Sequence, residues 1–212
     1  MTHENAHQEM QEKRLTTWRH VAPTRDTMTP EQAEVYDGIV HGPRGKAGRI
    51  PVTDEEGRLL GPFALMAISP AVGDAVQRLG AQIRFEGVLS DLEREVATLT
   101  VAAHHRSDFE WFAHSPEATR AGLRDADLAD IKAGRAPQFG DPRLRLVSSV
   151  SATLLRDGTL GDADYRAATD TLGEAALIEL IWLCGYYSML AMALSTMRPG
   201  VPADAQGIFV EE

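Results

Sequence analysis

Apolar positions along the chain recur at offsets of three and four, the spacing of helices, and no strand-like alternation continues beyond three or four residues. The expected architecture is all-α. Thr29-Pro30-Glu31 opens the first clear helix, with Thr29 as N-cap and Pro30 at the first helical position, and it runs to about Val40. The following HGPRGKAGRIPVTDEEGRLLGP, rich in Gly and Pro, reads as loop. Ala64 to Ile68 forms a short helix that ends before Pro70. Ala71 to Phe85 forms a longer one, with Val72, Val76, Leu79 and Ile83 turned inward. Ser90 and Glu93 make a capping-box pair, after which Leu92, Val96, Leu99 and Ala103 fall on one stripe. A second such pair, Ser107 with Glu110, starts another helix, which Gly122 stops and Leu123 closes. Leu128 and Ile131 mark a short helix ending at Gly134. Leu144, Val147 and Leu154 stripe a further one, broken at Asp157-Gly158, and Asp162 caps a helix carrying Tyr165 and Ala168.

The last helix spans about Glu174 to Met197. From Leu180 to Met197 it holds no charge, which is long enough to raise a membrane span. Glu179 at its edge, Gly185-Tyr186-Tyr187-Ser188 in its middle and Arg198 as sole basic flank favour burial in a core or between subunits instead. Glu179-Leu-Ile-Trp-Leu183 also echoes Glu95-Val-Ala-Thr-Leu99 faintly, too briefly to establish a duplication.

Composition narrows the function classes. The 212 residues suffice for one substantial core, so a single domain over 26–212 is expected, preceded by a polar arm over 1–25. With 21 basic against 31 acidic side chains the net charge is −10, which argues against nonspecific nucleic-acid or anionic-membrane partners. Cys184 is the sole cysteine, so no dithiol couple forms within one chain; inside an apolar helix it reads as a small core residue. The N-terminus lacks the hydrophobic run of a secretory signal, and the cytoplasm is the expected compartment. His3 and His7 have metal-compatible helical spacing but nothing nearby anchors them, and His104 with His105 lack the spaced partners of a metal site. Gly42, Gly45 and Lys46 are too closely spaced for a nucleotide phosphate loop, although Arg44, Lys46 and Arg49 could face an anion.

The chemistry concentrates in EGVLSDLEREVATLTVAAHHRSDFEWFAHSPEATRAG, residues 86–122. Glu95 lies on the shoulder of an apolar stripe, an expensive place for a carboxylate without a partner. On the next helix Ser107, Glu110 and His114 share a face. Each has an ordinary alternative: Glu110 as cap partner of Ser107, His114 as an ion-pair neighbour of Glu110, Glu95 as partner of a buried Arg120 or Arg124, Trp111 as a cavity or subunit wall, and Phe63 as core.

The run LEREVATLTVAAHHRSDFEWFAHSPEATRAGL resembles the core motif of the carboxymuconolactone decarboxylase family, which includes the AhpD-like alkyl hydroperoxidases. That motif has a glutamate, then a C-x-x-C or C-x-x-E type pair, then a histidine four residues later. It reads here as Glu95, Ser107 with Glu110, and His114, and the likeness extends over roughly residues 30 to 200. The resemblance implies a helical bundle assembled as a homotrimer or homohexamer. It makes His114 the general acid/base, Glu95 its orienting partner, and Glu110 the occupant of a cysteine position. Ser107, Trp111, Phe63, Arg44 and Arg49 would contact a small carboxylic acid or lactone, and no cofactor is expected. Cofactor-free decarboxylation or proton transfer follows as the expected activity. A thiol peroxidase is disfavoured because both cysteines of that subgroup are absent, and a catalytically silent binding or assembly module is the third alternative.

Overall fold

Two of the expected helix starts are built by reciprocal capping. Thr29 Oγ1 accepts the Gln32 amide at 3.4 Å while Gln32 Oε1 accepts the Thr29 amide at 3.1 Å. Ser90 and Glu93 repeat the arrangement at 3.3 and 2.9 Å. The computed structural model describes residues 18–47 and 50–209. In chain order the helices are α1 (Pro30–Val40), α2 (Pro43–Ala47), α3 (Gly61–Ile68), α4 (Pro70–Phe85), α5 (Asp91–His104), α6 (Asp108–Arg120), α7 (Asp125–Lys132), α8 (Pro142–Asp157), α9 (Asp162–Leu172) and α10 (Glu174–Met197). Among the described residues there is no strand, only the isolated bridges His20 with Pro199 and Thr53 with Leu59. The all-α expectation holds.

The segment after α1 is less loop-like than its composition suggests. Gly45 approaches the Val40 carbonyl so closely that a Cβ would stand 1.8 Å from it, which lets Pro43–Ala47 coil as the short helix α2. Beyond it Asp54 closes a turn by accepting the Glu56 and Arg58 amides at 3.1 and 2.8 Å. At α9 the cap position belongs to Gly161, and Asp162 is the first helical residue.

The chain divides into two compact units, one of residues 1–77 and 193–202, the other of 78–192 and 203–212. In the first, Val35, Tyr36 and Ile39 of α1 are buried together with Leu60, Phe63 and Met66. The opening turn of α4 presses on α3, where a Cβ at Gly73 would lie 1.8 Å from the Met66 carbonyl. Of the expected arm, residues 1–17, with His3 and His7, lie outside the described residues; Arg19 donates its amide to the Arg198 carbonyl at 2.9 Å. In the second unit α5 is the central helix. Val96, Ala97, Leu99 and Val101 are fully enclosed, packed by α6 on one side and by Val147 and Val150 of α8 on another.

Two helix faces depart from expectation. On α4 the apolar stripe points out: Val72 is 63% and Leu79 44% exposed, while Val76 and Ile83 are half-buried. Gly73, Gln77, Gly80 and the Arg84 side chain occupy the inner face, because the close approach at Gly73 needs a residue without Cβ and Arg84 has a buried acidic partner. On α10, long and apolar enough to cross a membrane by length and composition, half of the apolar span is buried within the protein. Leu177, Leu180, Leu183 and Tyr187 face inward, but Ile178, Ile181, Trp182, Met189 and Met192 are exposed, so the helix is not enclosed all round.

Candidate functional site

The reversal between α5 and α6 sets the site. His105 ends α5, Arg106 takes a left-handed backbone (φ 51°), and the Ser107 amide reaches back to the Ala102 carbonyl at 2.8 Å. The short turn lays the first half of α6 antiparallel against α5. Every residue from Glu93 to Leu99 is buried, and Glu95 is 1% exposed. Facing it on α6, Glu110 is 3% and His114 5% exposed.

These three side chains meet. His114 Nδ1 lies 2.6 Å from Glu95 Oε2, and His114 Nε2 lies 3.6 Å from Glu110 Oε2. Arg94 Nε is 3.6 Å from Glu95 Oε1, an oxygen that makes no hydrogen bond among the described residues. One turn beyond His114, Glu117 continues the polar stripe and pairs with Arg84 of α4 at 3.2 Å and with Arg120. Tyr187 of α10 packs edge-on against the imidazole at 5.1 Å. The cluster is thus a buried polar layer of three carboxylates, two guanidinium groups and one imidazole, at the centre of an apolar bundle.

Burial alone would push the Glu95 carboxyl upward. The net shift is downward, because His114, by charge and hydrogen bond, and then Arg84 and Arg94 outweigh the desolvation. An ionised Glu95 accepts the Nδ1 hydrogen of His114, which leaves Nε2 as the ring nitrogen turned toward Glu110. The arrangement is equipped for general acid–base chemistry in a site shielded from water.

The capping box expected at Ser107 is not formed. Ser107 holds the cap position but its hydroxyl makes no cap bond, since Glu110 is turned to His114 rather than back to the helix start. Arg120 and Arg124 are not the partners of Glu95 either: Arg120 pairs with Glu117, and Arg124 grips Asp127 through two bonds of 2.7 Å. Trp111 is buried against Phe209, ring edge to face at 5.5 Å. Phe209 belongs to a C-terminal strap whose Gly207 and Phe209 amides both donate to the Asp108 carboxylate, at 2.7 and 3.0 Å. The Arg106 guanidinium bonds the Phe209 carbonyl, and Lys132 lies 5.7 Å from its ring.

The structure therefore brings together Glu95, Glu110 and His114, with Ser107 and Trp111 on the same helix. Phe63 and Arg44 lie in the other unit and meet each other, the guanidinium 5.6 Å over the ring. Arg49 lies outside the described residues. Glu179 serves a loop, accepting the Val88 amide at 2.7 Å where Gly87 leaves room for it. Cys184 is buried, and burial pushes its thiol up to about 11 against a lowering hydrogen bond with Ser151. Among the described residues no group of three or more His, Cys, Asp or Glu could hold a metal ion. Arg84, Arg94, Glu117 and Tyr187 are additions to the sequence-derived set. Glu117 was signalled by its offset of three from His114; Arg84 was hidden by the assumption that the apolar face of α4 points inward.

Residues 70–152, from the start of α4 into α8, match the sequence model of the carboxymuconolactone decarboxylase family. That span contains Glu95, Ser107, Glu110, Trp111 and His114, together with Arg84, Arg94 and Glu117, and bears out the resemblance read from the motif. Among solved structures the chain is similar to an alkylhydroperoxidase AhpD core, described as an uncharacterized peroxidase-related protein from Ralstonia eutropha JMP134. The TM-score is 0.70 with 12% identity, over 89% of this chain and 94% of that one. The two share the AhpD-core fold. No curated protein sequence matches.

Proposed function

We propose that the chain is a cofactor-free acid–base enzyme of the carboxymuconolactone decarboxylase type, acting on a small carboxylated lactone or related acid. Support comes above all from the buried 2.6 Å contact between His114 Nδ1 and Glu95, which orients the imidazole and leaves Nε2 for the reaction. In the decarboxylation the bond from carbon to carboxylate breaks, carbon dioxide leaves, and the electron pair stays as an enolate. Protonated His114 then delivers the Nε2 proton to that carbon and regains one from water, with Glu110 lying 3.6 Å from Nε2. Enol–keto proton transfer uses the same groups without loss of carbon dioxide. Ser107 and Trp111 would border the substrate. The exposed apolar faces of α4 and α10 support self-association, for which the family resemblance suggests a homotrimer or homohexamer, and the cytoplasm is the proposed compartment.

Reduction of peroxide by thiols needs one sulfur to attack and another to resolve. Cys184 is alone in the chain and its thiolate is suppressed by burial, so the peroxidase reading is disfavoured.

The test is turnover of a carboxylated muconolactone and of simple 3-oxo acids in deuterium oxide. Carbon dioxide release, or deuterium entering the product at carbon, is expected from the unaltered chain. His114→Ala should lose ~10²–10⁴-fold of that rate with an unchanged circular dichroism spectrum. Full activity in His114→Ala, or robust thiol-dependent peroxide reduction, overturns the reading.

A further inference from the structure

The two oxygens of the Glu95 carboxylate have different surroundings. Oε2 meets His114 Nδ1 at 2.6 Å, while Oε1 faces Arg94 Nε at 3.6 Å and accepts no hydrogen bond among the described residues. Arg94 Nε is likewise buried and without a hydrogen bond there. A guanidinium keeps its charge when buried, so this is a contact between opposite charges away from water. It has room to tighten: about half an ångström closer, the Nε hydrogen would bond Oε1.

Successive side chains on a helix point about 100° apart, so neighbours in sequence do not ordinarily meet. Asp91 supplies the reason that Arg94 and Glu95 do. Counted at that step, residue 91 falls between 94 and 95 around the α5 axis, one turn nearer the N-terminus, the direction in which helical side chains lean. Its carboxylate accepts Arg94 Nη2 at 2.9 Å, which draws the guanidinium across toward Glu95. The side chains of Asp91, Arg94 and Glu95 are 72%, 10% and 1% exposed, a descent from solvent into the buried layer. The other charged groups of that layer are His114 and Glu110 of α6, and Glu117 of α6 with its partners Arg84 of α4 and Arg120. Tyr187 of α10 lies against the imidazole.

We propose that Arg94 is a positioning residue: steered by Asp91, its guanidinium holds Glu95 Oε1 and so fixes the rotation of the carboxylate that presents Oε2 to His114 Nδ1. The inference deepens the acid–base reading and rests on it. Arg94 touches no reacting atom. The last torsion of a glutamate is broad, so a carboxylate held at one oxygen alone turns easily and the imidazole turns with it.

The test uses the full chain without substrate. Nitrogen-15 and proton NMR follow the His114 imidazole, assigned through His114→Ala, and carbon-13 titration follows the Glu95 carboxyl, assigned through Glu95→Gln. In the unaltered chain the Nδ1 hydrogen should resonate far downfield, as in a short bond to a carboxylate. In Arg94→Met that resonance should move upfield, and the Glu95 midpoint should rise by about one pH unit, the usual effect of removing an opposite charge. Arg94→Gln, which keeps a donor for Asp91 but no charge, guards against loss of fold and should show the same two changes. Arg94→Lys, which keeps the charge, should recover most of both. An Nδ1 resonance unchanged in Arg94→Gln overturns the proposal, because an arginine that only stabilised the fold would leave it in place. A lysine variant indistinguishable from Arg94→Met overturns it too. The two failures are distinct: full turnover in His114→Ala sinks the acid–base reading, whereas the Nδ1 resonance decides the role of Arg94 by itself.

Discussion

At Glu95 a carboxylate is kept ionised in a place that disfavours charge, and acidity exposes this. Its pKa in the folded chain lies below the ordinary 4.5, so between the two values the unfolded chain binds more protons. The ionised pair then contributes stability that is fully present above pH 4.5 and is lost as pH falls through the folded value. Replacing Glu95 with Ala should cost about 3 kcal/mol at neutral pH, as breaking a buried pair does. Urea unfolding should show that deficit shrinking steadily as the solution is acidified below pH 4.5; a deficit independent of pH would contradict the assignment. A second residue-scale expectation concerns Cys184. With its thiol pushed up to about 11, iodoacetamide at pH 8 should alkylate the native chain far more slowly than the urea-unfolded chain. The spacing of Glu110 and His114 was legible because one helical turn separates them whatever surrounds the helix. The exclusion of Arg120 and Arg124 as partners of Glu95 was not, since tertiary packing turns them to Glu117 and Asp127, and the Ser107 capping pattern had a rival use for its carboxylate.

Element boundaries were largely readable: α1 and α10 lie where Thr29-Pro30 and the uncharged run placed them. Periodicity reports which residues share a face, not which way that face looks. On α4 the stripe of Val72 and Leu79 was real and its direction was reversed, because a buried Arg84 and the close approach at Gly73 were worth more than apolar burial within one chain. The outer face of α10, with Trp182 56% exposed, makes a second unpartnered apolar surface. Light scattering should therefore find a trimer or hexamer at micromolar concentration, and Leu79→Asp or Trp182→Asp should shift it toward monomer with helicity retained. A stable monomer of the unaltered chain would remove the argument.

For the whole molecule, the absence of strands among the described residues predicts a far-ultraviolet spectrum dominated by helix. The C-terminal strap predicts more. Removing residues 203–212 uncovers Trp111, so its fluorescence should shift to the red and become easier to quench. An unchanged emission would mean that Phe209 does not shield it. The strap also has a consequence in time. Asp108 waits for amides that lie 99 and 101 residues further along the chain. At the pace of synthesis, about 5–20 residues per second, α6 leaves the ribosome roughly 5 to 20 s before the segment that will cover it. During that interval the nascent chain carries a bare tryptophan and an unanswered aspartate, a natural handhold for a chaperone and a natural address for the last turn of the polypeptide to find.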